Sequence, residues 1–174
     1  MEQILQFDWH LLDAIKNLHT PFLDSWIPKF TMLGNGGIIW ILLSCILLCF
    51  PKSRRCGQTL AISLILIFLL GNCLLKPLVA RPRPFMLNPE LSLLIPSPTD
   101  FSFPSGHTYA GIAATVVLWH HNPKWGLSAL VPALLIAFTR LYLMVHFPTD
   151  ILGGIILGVI CGSVAIWITK KRRP

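Results

Sequence analysis

Long apolar stretches constrain the fold of this chain more than any other feature of its sequence. The stretch at 57–75 contains 19 residues and no ionisable side chain. At about 1.5 Å per residue it nearly crosses the hydrocarbon core of a bilayer, which is about 30 Å thick. Only 12% of the residues are charged, which is too few for an ordinary soluble surface. The simplest count is five spans, at 36–50, 57–75, 106–119, 126–145 and 151–169.

The fold class follows from this count. We predict an all-α integral membrane protein, a helical bundle of about five transmembrane helices that forms a single domain over residues 1–174. The first 35 residues differ from the rest, because charges interrupt their apolar positions: Asp8, Asp13, Lys16 and Asp24. This pattern is typical of an amphipathic helix in the membrane interface. A sixth span is the alternative, but it would bury several charges. We therefore expect an amphipathic interfacial segment at 1–35 and the transmembrane bundle at 36–174.

Charged residues segregate in the five-span topology. Eight basic residues share one face: Lys52, Arg54, Arg55, Lys124 and the four residues at 170–173. All seven acidic residues fall on the other: Glu2, Asp8, Asp13, Asp24, Glu90, Asp100 and Asp150. Basic residues beside a span are retained in the cytoplasm, so we expect a multi-pass protein of the cell membrane with a cytoplasmic C-terminus and an extracytoplasmic loop at 76–105. The net charge of +7 then reflects topology, and no nucleic-acid partner is expected.

Polar residues that a purely structural bundle does not need are concentrated in two outer segments. They are Lys76, Arg81, Arg83, Ser105, His107, Arg140, His146 and Asp150. Clustered cations would repel one another unless an anion lay among them, and arginine and lysine suit phosphate. The alternative for any one cation is a position beside a span, in contact with lipid headgroups. The loop at 77–104 also holds seven of the 14 prolines, which excludes a long regular helix through it.

The tetrapeptide Pro104-Ser105-Gly106-His107 directly precedes an apolar run. Ser105 suits a helix N-cap, and Gly106 allows close approach of the backbone. The third residue after Ser105 is Thr108 rather than Glu or Gln, so no capping-box carboxylate competes for the free amide groups of the helix start. This segment is a candidate anion-binding site. A helix cap alone would explain Ser105 and Gly106 but not His107.

In the second outer segment, His146 and Asp150 are four residues apart, and Pro148 suits the first turn of the last helix. At that spacing the two side chains can meet. The carboxylate can then hold one ring nitrogen protonated and leave the other free to attack phosphorus. The alternative is a structural Asp150, favoured by the helix dipole, beside an interfacial histidine.

Together these segments form three motifs with regular internal spacing. They are Lys76 followed, after six intervening residues, by Arg83-Pro84; Pro104-Ser105-Gly106-His107; and Arg140 with His146 and Asp150. In order and spacing they resemble the signatures of the type 2 phosphatidic acid phosphatase and vanadium haloperoxidase superfamily. The resemblance is to its bacterial membrane lipid phosphatases, such as those that act on undecaprenyl pyrophosphate or phosphatidylglycerol phosphate.

The motifs depart from the family pattern at two places. Thr139 stands where a serine usually precedes Arg140, but a hydroxyl is kept, so little loss is expected. Arg81-Pro82 duplicates the Arg83-Pro84 pair two residues earlier. The spacing favours Arg83 as the phosphate ligand, and the sequence leaves the choice between the two arginines open.

The resemblance implies hydrolysis through a phosphohistidine. His146 would be the nucleophile, Asp150 would orient it, and His107 would protonate the leaving oxygen and later activate water. The phosphoryl oxygens would be held by Lys76, Arg83, Ser105, Gly106 and Arg140. No cofactor is implied. Because no carboxylate cluster suited to magnesium is apparent, we predict a metal-independent phosphatase with no metal site.

The membrane setting favours a lipid phosphate as substrate over the halides of the larger, soluble haloperoxidases. The resemblance to small bacterial enzymes favours undecaprenyl pyrophosphate, a carrier lipid of cell-wall synthesis. Phosphatidylglycerol phosphate and phosphatidic acid are the alternatives. A small anion transporter is an alternative of another class, but a transporter should place ionisable groups near the middle of the membrane.

Three glycines recur every four residues in the last span: Gly154, Gly158 and Gly162. Such a small-residue face lets another helix approach closely. We favour packing within the chain over dimerisation, and the oligomeric state stays open.

Overall fold

The computed structural model describes residues 2–171, and this part of the chain contains helices and no strands. The helices are α1 Glu2–Lys16, α2 Pro21–Thr31, α3 Ile38–Cys49, α4 Arg54–Ile67, α5 Lys76–Val79, α6 Pro84–Leu87, α7 Gly106–His121, α8 Pro123–Tyr142 and α9 Pro148–Lys171. A 3₁₀ segment, Met32–Gly37, joins α2 to α3, and a π-helical segment, Phe68–Leu75, joins α4 to α5. The predicted all-α fold is confirmed.

Within residues 2–171, four segments are long and apolar enough to cross a membrane: Pro21–Cys49, Arg54–Leu87, Pro123–Tyr142 and Pro148–Lys170. The predicted run at 106–119 forms α7, which has only 16 residues. It lies in the middle of the bundle and packs on α4, α8 and α9. The multi-pass membrane fold is confirmed, whereas the count of five spans is not.

The N-terminal part of the chain packs against the bundle. Leu12 of α1 is buried with Phe147, and Ile27 of α2 is buried with Tyr142. The first candidate span begins at Pro21, so it crosses the predicted boundary at residue 36, because α2 leads into α3 through the short 3₁₀ segment. An interfacial position for residues 1–35 stays a prediction.

The glycine stripe of α9 faces α7. A Cβ atom built on Gly154 would lie 3.0 Å from the backbone oxygen of Ser105, and one on Gly158 would lie 2.8 Å from that of Tyr109. The expected use of the stripe within the chain is therefore confirmed. Since the two helices run in close contact from their first turns, the second and third motifs lie side by side at one end of the bundle.

The opposite end of the bundle carries basic side chains. A cavity there is lined by residues that include Arg55, His120, His121 and Lys170. Arg172 and Arg173, which belong to the predicted basic face, lie outside the described residues. These basic side chains thus lie at the end of the bundle away from the three motifs.

Candidate functional site

The loop between the π-helical segment and α7 carries the first motif into the bundle. As the prolines predict, regular structure in it is limited to the four-residue helices α5 and α6. Between them Ala80 adopts a left-handed conformation, with φ of 47°, which reverses the chain after Lys76. Lys76 and Arg83 are 6% and 2% exposed. Burial of two cations needs compensating anionic groups.

A cavity of about 540 Å³ lies beside this loop. Six of the eight predicted site residues line it: Lys76, Arg83, Gly106, His107, Arg140 and His146. The other two, Ser105 and Asp150, are fully buried and are not part of its lining. The structure thus brings all three motifs to one place, although they are separated by up to about 70 residues in the sequence.

His146 lies in the turn between α8 and α9, two residues after Met144, which has φ of 54°. Its Nδ1 is 3.4 Å from Asp150 Oδ2, and its Nε2 is 3.2 Å from Arg83 Nη1. With Nδ1 protonated toward Asp150, the lone pair of Nε2 can accept a hydrogen bond from Arg83. Burial lowers the pKa of His146 to about 3, against the opposing effect of Asp150. The imidazole is therefore neutral at ordinary pH.

Asp150 is held on several sides. The Phe147 amide donates to Oδ2 at 2.8 Å, and the Ser102 hydroxyl donates to the same oxygen. Arg81 Nη1 lies 2.5 Å from the other oxygen, Oδ1. The predicted pairing with His146 is present, but it forms through a turn before α9 rather than along a helix face. Ser102 was missed by sequence reasoning because a lone serine outside the motifs carries no signal.

The two neighbouring arginines face different surroundings. Arg83 lines the cavity, where its Nη2 lies 2.7 Å from Asp100 Oδ1. Arg81 lies outside the lining and bridges two buried carboxylates, those of Asp8 and Asp150. Of the two arginines, only Arg83 therefore lies at the cavity, and its role as the phosphate ligand stays a prediction.

Arg140 is incompletely paired. Its Nη1 donates to Thr31 Oγ1 at 2.8 Å. Its buried Nε has no hydrogen-bond partner among the described residues. An unpaired, buried guanidinium N–H beside a cavity is a group that a bound anion would satisfy. The hydroxyl of Thr139, the departure noted above, bonds Thr31 at 3.0 Å and so helps to position the threonine that contacts Arg140.

Ser105 occupies the N-cap position of α7, as predicted, but its side chain makes no capping hydrogen bond. Its hydroxyl instead accepts from Thr108 Oγ1 at 3.0 Å. The amide groups at the helix start are therefore not capped by a side chain, which leaves them suited to an anion.

His107 is positioned by a residue that sequence reasoning missed. Its Nε2 lies 3.0 Å from Asn35 Oδ1. A Cβ atom on Gly34 would lie 2.6 Å from His107 Cδ2, so the 3₁₀ segment packs directly on the ring. The run of glycines at 34–37, interrupted only by Asn35, was the available signal, but it lay across the boundary between the predicted interfacial segment and the predicted first span.

Asp100 is a third residue that sequence reasoning missed. Its carboxylate pairs with both Lys76 and Arg83, yet its side chain remains 51% exposed. Burial opposes its ionisation, but Lys76 and Arg83 outweigh burial and lower the pKa of Asp100 to about 2. An anionic group thus already lies on two of the predicted phosphate ligands.

A second cavity, of about 600 Å³, joins the first, since both are lined by Lys76, Asp100, Gly106 and His107. We call this second cavity the apolar groove. Side chains of α3, α4 and the π-helical segment form most of its walls: Ile41, Cys45, Leu48, Ala61, Leu64, Ile65 and Phe68. Its lining reaches from Gly37 to Leu48 along α3, which corresponds to about 17 Å of helix. The polar site therefore continues into an apolar channel along the bundle.

Comparison with known proteins agrees with this geometry. Residues 58–174 match the family model of the PAP2 superfamily. The chain belongs to the PAP2 superfamily. This PAP2 chain is 37% identical to an undecaprenyl-diphosphatase of Sulfolobus acidocaldarius, over 90% of this chain and 76% of that protein.

Two solved structures have a similar fold. Aquifex aeolicus LpxE superposes with a TM-score of 0.80 at 30% identity, covering 91% of this chain and 94% of that one. The PAP2-type phosphatidylglycerolphosphate phosphatase of Bacillus subtilis superposes with a TM-score of 0.79 at 25% identity, covering 99% and 89%. The resemblance seen in the three motifs is confirmed, and this PAP2 protein is a membrane phosphatase, a hydrolase of phosphoric esters.

Proposed function

We propose that this PAP2 protein removes a phosphate from undecaprenyl pyrophosphate, the diphosphate of a long isoprenoid alcohol. The observation that carries the lipid assignment is the apolar groove, which meets the cationic cavity at Lys76 and His107. The similarity to an undecaprenyl-diphosphatase supports the isoprenoid diphosphate. Phosphatidylglycerol phosphate and phosphatidic acid have the same combination of anionic head and apolar tail, so they are the competing substrates.

In the proposed reaction His146 is the nucleophile. Its Nε2 attacks the terminal phosphorus, and the bond from that phosphorus to the bridging oxygen breaks. His107 gives a proton to the leaving oxygen and then removes one from the attacking water. The water attacks the phosphohistidine, which releases inorganic phosphate and restores the imidazole. The neutral state and buried position of His146 support this role.

The remaining predicted residues would bind the phosphoryl group. Lys76, Arg83 and Arg140, with the Ser105 hydroxyl and the Gly106 amide, would hold its oxygens and stabilise the charge of the transition state. The unpaired Nε of Arg140 supports this assignment. Among the described residues, no group of three or more His, Cys, Asp or Glu side chains is placed to hold a metal ion. Metal independence stays a prediction.

The orientation in the membrane is also part of the proposal. The site would face the extracytoplasmic side, and the C-terminus would lie in the cytoplasm. This is supported by the basic residues at the end of the bundle opposite the site, among them Arg55 and Lys170, since such residues are retained in the cytoplasm.

The test is a comparison of kcat/KM on three lipids in detergent: undecaprenyl pyrophosphate, phosphatidylglycerol phosphate and phosphatidic acid. We expect the diphosphate to be hydrolysed with the highest kcat/KM. His146→Ala should abolish turnover and trapping of the phosphoenzyme. A preference for either glycerolipid would overturn the substrate assignment, and a His146→Ala protein with near-normal rates would overturn the mechanism. In liposomes, phosphate release without anion flux would separate the enzyme from a transporter.

A further inference from the structure

The buried carboxylate of Asp8 lies on α1, far in sequence from the three motifs, and it is fully shielded from solvent. It accepts from Arg81 Nη2 at 2.6 Å, from the Thr149 amide at 2.9 Å and from the Thr149 hydroxyl at 2.6 Å. Burying a charge is costly unless it is paired and hydrogen-bonded. These three donors compensate that cost.

Arg81 connects this carboxylate to the proposed nucleophile. One terminal nitrogen of its guanidinium binds Asp8, and the other binds Asp150 Oδ1 at 2.5 Å. The second oxygen of Asp150, Oδ2, is the one that faces His146 Nδ1. The order of contacts is therefore Asp8, Arg81, Asp150, His146.

We propose that Asp8 is a positioning residue for the nucleophile His146, and that α1 contributes to the active site by supplying Asp8. An arginine that meets a lone carboxylate tends to bind both of its oxygens. By occupying one side of the Arg81 guanidinium, Asp8 restricts that arginine to a single oxygen of Asp150. Oδ2 then remains available to orient His146. The proposal rests on the proposed role of His146 in phosphate hydrolysis.

A purely structural anchor for α1 would not need this charge. α1 already packs on the same turn through apolar contacts, with the rings of Trp9 and Phe147 edge to face at 5.3 Å and Leu12 buried beside them. Apolar packing stabilises such a contact at least as well as a buried ion pair. The Arg81 guanidinium also lies over the ring of Phe147, with its Cζ 4.3 Å from the centroid, so its position is restrained from a further side.

The test is Asp8→Asn, which keeps the shape of the side chain and removes its charge. The matched control is Asp13→Asn, the same change at an exposed position of the same helix. We expect Asp8→Asn to lower kcat about 10- to 100-fold, with KM within twofold of the wild type. The loss should be equal on every phosphate ester that the wild type hydrolyses, because His146 takes part in all of them. A second variant, Arg81→Lys, cannot bridge two carboxylates in the same way, and it should lose a similar factor.

A spectroscopic measurement makes the result independent of turnover. The protein is labelled with ¹⁵N-histidine, and the ring signals of His146 are assigned by comparison with His146→Gln. In the wild type these signals should show the Nδ1–H tautomer. In Asp8→Asn they should show a changed environment of the ring. Two outcomes would overturn the inference: unchanged His146 signals in Asp8→Asn, or a kcat per folded molecule within twofold of the Asp13→Asn control. Either outcome would do so even if the melting temperature of Asp8→Asn fell. If the wild type hydrolyses no phosphate ester, the proposed function is wrong. The His146 signals still test whether Asp8 positions the ring of His146.

Discussion

Asp100 places a carboxylate on two cations that are proposed to bind the substrate. Lys76 and Arg83 are nearly buried, whereas Asp100 is half-exposed, so the carboxylate lies on the open side of the pair. A phosphate that binds these cations must displace it. Because its pKa is lowered to about 2, Asp100 stays ionised at every pH above that value, and a fall in pH from 8 to 5 does not remove the competition.

At the residue scale we therefore predict that Asp100→Asn strengthens the binding of inorganic phosphate, measured as product inhibition. The expected decrease in the inhibition constant is about two- to fivefold, the size of a partly exposed ion pair, and a decrease should be seen at both pH 5 and pH 8. Glu90→Gln, an exposed position in the same loop, is the control and should change nothing. Weaker phosphate binding in Asp100→Asn would show that the carboxylate organises the cations instead of competing for them.

At the scale of elements, the contact between α7 and α9 sets the geometry of the site. α7 begins at Gly106, beside His107, and α9 begins two residues after His146. The distance between these helix starts depends on glycines whose missing side chains let the backbones meet. Of the three glycines in the stripe, Gly158 makes the closest contact with the backbone of α7, since a Cβ atom there would lie 2.8 Å from the backbone oxygen of Tyr109. Such a contact cannot be relieved by a side-chain rotation.

Gly158→Leu should thus separate the helices. Overpacking of a well-packed contact costs about 1–3 kcal/mol, equivalent to roughly 2–12 °C of apparent melting temperature. Ser163→Leu, at an exposed position of the same helix, should leave the melting temperature unchanged. The measurement is thermal unfolding in detergent. Equal melting temperatures for the two leucine variants would contradict the packing argument.

The whole molecule combines a cationic cavity with an apolar groove, and neither is formed by one element. Ile41 of α3 and Ala61 of α4 lie on two walls of the groove, and His107 of α7 lies where it meets the cavity. In this arrangement the head of a lipid phosphate can reach the cations while its tail stays among apolar side chains. The groove should therefore contribute to the binding of long-chain substrates and contribute nothing to the binding of short ones.

Ala61→Phe is the corresponding variant, because it places a ring inside the groove. Steric overlap between the ring and the lipid tail costs about 1–3 kcal/mol, so KM for the long-chain lipid should rise roughly fivefold or more. KM for a water-soluble, short-chain phosphatidate should stay within twofold. Ser163→Phe serves as the control on an exposed helix face. An equal effect on both substrates would mean that the substitution disturbs the cavity and that the tail lies elsewhere.

The membrane fold and the three motifs could be predicted from the sequence because both are local properties. The run at 57–75 is apolar in any surroundings. The spacing of His146 and Asp150 is likewise a property of the sequence alone. The proline-rich loop was likewise predicted to lack a long helix, since proline acts through its own backbone. The number of crossings was less well determined, because α7 is short for a span and its helix neighbours, rather than its own length, account for its burial.

Only the tertiary structure decided which single residues join the motifs. Asp8, Asn35 and Asp100 come from α1, the 3₁₀ segment and the proline-rich loop. Nothing in the sequence context of Asp8 or Asp100 marks them, and the only signal for Asn35 is its neighbouring glycines. The different surroundings of Arg81 and Arg83 were equally invisible in the repeated Arg-Pro pairs. A buried charge takes its role from the groups that compensate it, and those groups are brought together by helix packing over distances of up to about 140 residues along the chain.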